Sequence, residues 1–314
     1  MYIYMENIIN SSISPVEGLV GRIADTLASA PAPAVNAYDL AKQVFVLMAG
    51  ATELVPKKIH EGVIEALLRA HLVTPLDQAG SQKAFMIFGR SGASAAEVVC
   101  SLDPFAYVSH LSAMEHHGLT DRFPTILYMT RPPAAEWRKQ AQARMAKDLG
   151  DRLSAYQDSG LPRLVQMKIA KVGHTVVQFC ERSQLGAFRL VTGSALRVAT
   201  IGRVFLDMLR EPDLCGGIQH VIDVYQSEAK RYLKLIVDEV DRHGQPVDKV
   251  RAGYLLTEVC HQDDPTISEW QKFAQRGGSR KLDNTGEYAP DFSARWQLSI
   301  NVPSLTRPTG GAND

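Results

Sequence analysis

The sequence predicts an α+β protein: an N-terminal winged helix-turn-helix followed by a larger, mixed α/β C-terminal domain. Three observations predict it. Three short amphipathic helical patterns and then two strand-like runs fill residues 16–88. Strand and helix patterns are mixed over the next hundred or so residues, and from Gly202 onward helical spacing dominates. These place the first domain at 13–90, the second at 91–303 and a disordered tail at 304–314.

The first helix is VEGLVGRIADTLASA (16–30), whose apolar Val16, Leu19, Val20, Ile23, Leu27 and Ala28 recur as in an amphipathic helix. PAPAV (31–35) stops it, because a residue before proline avoids the helical region. Asn36 can cap a second helix, AYDLAKQVFVLM, through its side-chain oxygen, and a turn around Ala49-Gly50-Ala51 ends that helix. Pro56 suits the first position of a third helix, PKKIHEGVIEALLRAHL, where its missing N–H costs nothing. Ile59, Val63, Ala66, Leu67 and Ala70 form its apolar face, with His60 packing at the edge. Two strand-like runs follow, LVTPL (72–76) and AFMIF (84–88), joined by DQAGSQK, in which Gly80 can turn a hairpin.

In a winged helix-turn-helix the third helix enters the major groove and the hairpin follows the backbone or minor groove. Lys57, Lys58 and Arg69 would then meet phosphates or base edges, with Gln82 and Lys83 at the wing tip. Glu61 could accept from a cytosine amino group or repel unwanted phosphate. The partner so implied is double-stranded DNA. Against it stands the charge: residues 1–90 hold 7 Lys+Arg and 8 Asp+Glu. That balance keeps a second reading open, a winged-helix protein-interaction adaptor that binds no nucleic acid.

Charge is uneven along the rest of the chain, although the whole is neutral. Residues 131–210 carry 14 basic against 6 acidic side chains, and residues 211–270 carry 6 against 12. The basic block either presents a surface for phosphate or neutralises its acidic neighbour. Arg138, Lys139, Arg144 and Lys147, on a polar helical stretch, are its candidate patch for RNA. SGASAAEVVCSLDP (91–104) reads as a linker or short helix, RFPTILYMT (122–130) as a strand, and LPRLVQMKIAKVGHTVVQFC (161–180) as a hairpin turning near Gly173. Later helices are expected over GRVFLDMLREP, DLCGGIQHVIDVYQ, SEAKRYLKLIVDEVDRHG and PVDKVRAGYLLTEVC.

With 45% hydrophobic and 22% charged residues the chain reads as an ordinary globular protein. Its four cysteines form no CxxC pair, which argues against a zinc knuckle or disulfide framework and fits reduced thiols. The N-terminus lacks a signal-peptide pattern and no stretch is long and apolar enough for a membrane span, so a cytoplasmic protein without membrane association is expected.

Chemistry-bearing residues are densest in SHLSAMEHHGL (109–119), where Asp103 and Pro104 are expected to start the helix and Tyr107, Val108, Leu111 and Met114 to form its buried stripe. A metal site fails there on geometry. Glu115, His116 and His117 are consecutive, each about 100° from the next, and His110 stands two turns, about 10 Å, from His117. FGRSGAS lacks the second glycine of a nucleophile elbow, a GxxxxGK[ST] loop is absent, and Cys215 reads as a buried structural thiol. No nucleophile, base and oxyanion donor converge, so neither an enzyme nor a cofactor is expected.

YVSHLSAMEHHGLTD (107–121) resembles the helix that follows the winged-helix module in AbiEi-type antitoxins. RVATIGRVFLDMLREPDLCGGIQHVIDVY (197–225), RAGYLLTEVC (251–260) and RKLDNTGEYAPDFSARWQLSIN (280–301) are similar to later segments of that family, in the same order. The resemblance implies the antitoxin half of a type IV toxin–antitoxin, phage-abortive-infection module. It implies a winged helix bound to inverted repeats in its own promoter, and a C-terminal domain that supports antitoxicity and cooperative repression. The implied toxin is a nucleotidyltransferase-like protein, counteracted without a stable complex. This chain departs from the usual member in its polar N-terminal extension and its acidic winged-helix balance.

Overall fold

The computed structural model describes residues 15–48, 55–76, 83–183, 185–275 and 280–306. It shows a mixed α and β protein in two compact units that interleave along the chain. One comprises residues 1–104, 134–169 and 193–195; the other comprises 105–133, 170–192 and 196–314. The units therefore do not follow a single boundary near residue 90.

In the first unit, helix α1 (Pro15–Ser29) is followed by a short strand β1 (Ala34–Asn36), which has no counterpart in the sequence patterns, and helix α2 (Ala37–Leu47). Asn36 caps α2 as expected, its Oδ1 accepting from the Asp39 amide at 2.8 Å. Helix α3 (Pro56–Arg69) opens on Pro56, and strands β2 (Val73–Pro75) and β3 (Ala84–Ile87) follow. The sheet order is β1-β3-β2, all antiparallel, with Val35 opposite Phe85 and Thr74 opposite Met86. Ile23 and Leu27 of α1, Leu40 and Val44 of α2, Val63 and Leu67 of α3, and Phe85 of β3 make one core. The expected turns at 49–51 and around Gly80 lie outside the described residues. Helix α4 (Ala95–Leu102) has a full capping box, Ser94 with Glu97.

The chain then enters the second unit through strand β4 (Tyr107–Val108), helix α5 (His110–His116) and strand β5 (Ile126–Arg131). Here the sequence expectation needs correction. Asp103 does not start α5; it ends α4, and its carboxylate accepts from the Trp137 indole at 2.9 Å. Tyr107 and Val108 are buried as strand residues, because β4 pairs with β5 on one side and strand β9 (Arg197–Ala199) on the other. Gly118, at φ 65°, supplies the expected left-handed stop.

Helices α6 (Ala134–Leu149) and α7 (Leu153–Asp158) belong to the first unit. Trp137, Ala141, Met145 and Leu149 recur every four residues and are buried, while Tyr156 packs edge-on against Tyr38 and Phe45 of α2. Residues 161–169 are irregular rather than the expected strand, and their Leu161, Leu164, Met167 and Ile169 are buried.

Strands β6 (Lys171–Val172), β7 (Thr175–Glu181) and β8 (Phe188–Leu190) complete the second unit's six-stranded mixed sheet, ordered β6-β7-β5-β4-β9-β8. The turn between β6 and β7 falls at Gly173 as expected, with φ 58°. Helix α8 (Ile201–Arg210) is capped by Thr200 and packs on α9 (Ile218–His243). Helix α9 is continuous over 26 residues, where the sequence predicts two helices: nothing between Gln226 and Ser227 breaks the ladder, and Ser227 turns its hydroxyl back to the Val224 carbonyl. At Gly202 a Cβ would lie 2.3 Å from the Leu235 carbonyl oxygen, so only glycine lets α8 and α9 approach this closely. Helix α10 (Pro246–Tyr254), a π-helical turn over Leu255–Val259, helix α11 (Pro265–Glu269) and the hairpin β10 (Phe292–Ser293) with β11 (Leu298–Ser299) close the unit. Among the described residues, no helix is long and apolar enough to cross a membrane.

Candidate nucleic-acid interface

Helix α3 buries His60, Val63, Ile64 and Leu67 and leaves the opposite side in solvent. Lys57, Lys58, Glu61, Glu65 and Arg69 are all exposed. At about 100° per residue they fall within about 120° of one another, so three cations and two carboxylates share one face. Lys83 is exposed at the start of β3, and Gln82 lies outside the described residues. His60 is 5% exposed, its Nε2 has no hydrogen-bond partner, and burial holds its pKa below the ordinary value. It is a core residue of this helix, with no access to a base.

The irregular segment after α7 brings one further cation, Arg163, beside Lys83. Arg163 and Lys83 both line a pocket of about 300 Å³, together with Asn36 and Tyr38 at the N-terminal end of α2 and the apolar Leu164 and Met167. A helix N-terminus flanked by an arginine and a lysine favours an anion. Gly160, at φ 71°, passes beside the Lys57 side chain, 3.8 Å from where its Cβ would stand to Lys57 Cδ. Sequence reasoning missed Arg163, because it lies about eighty residues beyond Lys83 and its segment has no periodicity to mark it.

The candidate patch on α6 is less cationic in space than in sequence. Arg138, Lys139 and Lys147 are exposed, but Arg144 is paired with Asp39 at 2.7 Å and with Asp148 at 3.6 Å. Lys42 joins the same acids at 3.3 and 3.0 Å, and Tyr38 donates to Asp148. Arg138 and Arg144 lie about 120° apart around the helix, and Lys139 and Lys147 about 80° apart. The four do not form one stripe.

The histidine-rich segment holds a polar network with a buried centre and partly exposed outer members. His110 is 1% exposed and takes φ 51°, a left-handed conformation that a non-glycine residue adopts at a cost. Its Nδ1 meets Ser109 Oγ at 2.8 Å and its Nε2 meets Glu211 at 2.9 Å, while Thr130 donates to Ser109 at 2.9 Å. Arg182 pairs with the same Glu211 carboxylate. Burial alone would depress His110, but the neighbouring Cys180 and Glu211 reverse the sign and lift its pKa to about 10. Burial would raise Glu211, but His110 and Arg182 hold it down at about 2. Nucleophile, imidazole and carboxylate thus stand in line. Yet an imidazolium that donates from both nitrogens has no lone pair to take a proton from Ser109. At the helix end, His117 Nε2 meets the Ala199 carbonyl at 2.7 Å, and burial lowers its pKa. Cys215 is fully buried and its thiol is pushed up by burial, far from a reactive thiolate. Among the described residues no three His, Cys, Asp or Glu side chains are grouped to hold a metal ion.

No protein-family model matches the chain. No curated protein matches it either. Among solved structures, the chain is similar to the RV2827C protein from Mycobacterium tuberculosis at 15% identity, over 90% of each chain, with a TM-score of 0.39.

Proposed function

We propose that the first unit carries a winged helix-turn-helix that binds double-stranded DNA, and that the protein is a transcriptional autorepressor serving as a type IV antitoxin. The observation that carries the DNA reading is the solvent-facing side of α3, with Lys57, Lys58 and Arg69 on one face and the hairpin β2–β3 following it. The order helix, strand, helix, helix, strand, strand around one core supports the winged-helix reading. Lys83, just before the hairpin's second strand, and Arg163 beside it add cations. Phosphate neutralisation by these side chains supplies affinity, and the exposed positions of α3 supply base selection. The antitoxin role, promoter inverted repeats and a nucleotidyltransferase-like toxin as functional counterpart rest on the family resemblance of segments 107–121, 197–225, 251–260 and 280–301.

One observation favours the alternative of a protein-interaction adaptor: Glu61 and Glu65 share the α3 face with the cations. Titrating labelled upstream DNA with the protein at low and moderate salt separates the two. Repression requires a shift at low salt that weakens steeply as salt rises; no shift at low salt selects the adaptor. Co-expression with the protein of the adjoining gene tests the antitoxin role: relief of growth arrest supports it, and no relief sinks it.

A further inference from the structure

The second unit contains a cavity of about 410 Å³ that the DNA-binding reading does not use. We propose that it binds a small phosphorylated metabolite of nucleotide size, which places its phosphate against arginine and a hydrogen-bond donor against Glu239. The walls are periodic. Leu235, Asp238, Glu239 and Arg242 come from one face of α9, at i, i+3, i+4 and i+7, and Ala187, Arg189 and Val191 come from alternate positions along β8 and its flanks. Such aligned faces normally interdigitate as core. Here they leave a void and present charged side chains to it.

Two features point to the ligand's chemistry. Glu239 is 7% exposed, yet its carboxylate has no hydrogen bond, and its Oε1 is sealed from solvent without a partner. A carboxylate taken out of water requires compensation, and within hydrogen-bond reach none is supplied; Arg203 compensates it only through space. Oε2, likewise without a hydrogen bond but not sealed, is the oxygen that can accept from an amino, amide or hydroxyl group of a ligand. The second feature is the N-terminus of α8. Thr200 takes the Arg203 amide, while Ile201 and Gly202 line the cavity, and Gly202 permits the close crossing that brings Glu239 alongside. Arg189 from the β8 wall and Arg242 from the α9 wall line the same cavity, beside the carboxylates of Asp238 and Glu239, and with the α8 N-terminus they offer donors to a phosphate. His117 donates from Nε2 to the Ala199 carbonyl, so its neutral Nδ1 is left as a further acceptor. A volume of this size exceeds what a bare phosphate or a simple amino acid fills and matches a mononucleotide.

The test is calorimetric titration of the full chain with the four ribonucleoside 5′-monophosphates and, separately, with inorganic phosphate. We expect saturable submillimolar binding of at least one nucleotide, with phosphate alone about tenfold weaker or more. Glu239→Gln and Arg242→Ala should each weaken that nucleotide about tenfold, as expected when one charge-assisted hydrogen bond is removed. Arg242 is exposed, so its variant decides the matter alone if Glu239→Gln fails to fold. Absence of nucleotide binding at millimolar concentration overturns the proposal. So does phosphate binding as tightly as the nucleotides, or affinity unchanged in Arg242→Ala. None of these outcomes bears on DNA binding, which is measured separately.

Discussion

Two regions of this molecule carry dense chemistry in sequence, the exposed side of α3 and the segment around α5, and the structure treats them in opposite ways. The lysines, glutamates and arginine on the outer side of α3 face water, and among the described residues no ion pair ties Lys57, Lys58 or Arg69 to a carboxylate. Around α5, Ser109, His110, Glu211 and Arg182 form a chain of hydrogen bonds and charge that is buried at His110 and reaches solvent at Arg182, while Glu115 and His116 face water. Residue type and spacing do not separate a solvated charged face from a structural network; exposure and satisfied partners do. Substitutions should therefore act on stability at α5, and at α3 on the proposed DNA binding.

The largest expected effect is at the His110–Glu211 network. Glu211→Ala leaves His110 buried without its carboxylate and should cost about 3 kcal/mol in a urea titration, with an unchanged m value. The effect depends on pH with a definite sign. His110 is raised, so its share of stability is whole below its ordinary pKa of 6.5 and is lost as pH rises through about 10. Glu211 is depressed, so its share is whole above 4.5 and is lost as pH falls through about 2. The gap between wild type and variant should be widest from pH 4.5 to 6.5. A flat gap would show that the pair does not carry the cost.

A smaller effect tests the buried side of α3. His60→Leu removes an unpartnered polar atom and should stabilise the protein by about 1 kcal/mol at neutral pH. Because His60 is depressed in the fold, the unfolded chain takes up its proton first as pH falls below 6.5, and the native state loses stability there. The advantage of His60→Leu should grow as pH is lowered through 6.5; an advantage that shrinks would place His60 against an acid. Smaller again is Arg144→Ala, which removes a partly exposed ion pair and should cost about 0.5 kcal/mol while leaving DNA affinity unchanged. Weaker DNA binding in that variant would return α6 to the candidate interface.

Much of the first unit is legible in sequence, because it is written in local signals. Asn36 capping α2, Pro56 opening α3 and the apolar spacing of Val63 and Leu67 each act within one turn of helix. Strand β1 is not legible: three residues, AVN, carry no alternation, and their strand exists through pairing with β3 some fifty residues later. Nor is the helical start of α5, since Asp103-Pro104 has the composition of a cap while its carboxylate is claimed by Trp137. The same holds for the candidate sites. The exposed face of α3 follows from its period, whereas Arg163 beside Lys83 and Glu239 in its cavity depend on neighbours that sequence distance conceals.

The most direct test of the α3 reading is the salt dependence of promoter-DNA binding by the protein and by its Lys57→Ala/Lys58→Ala double variant, both checked for unchanged unfolding midpoints. Both lysines are exposed, so stability should move by less than about 0.5 kcal/mol. We expect the double variant to bind more weakly and its log–log salt slope to flatten by about one unit for each phosphate it no longer neutralises. Equal affinity and equal slope in the two proteins would contradict α3 as the DNA-binding helix.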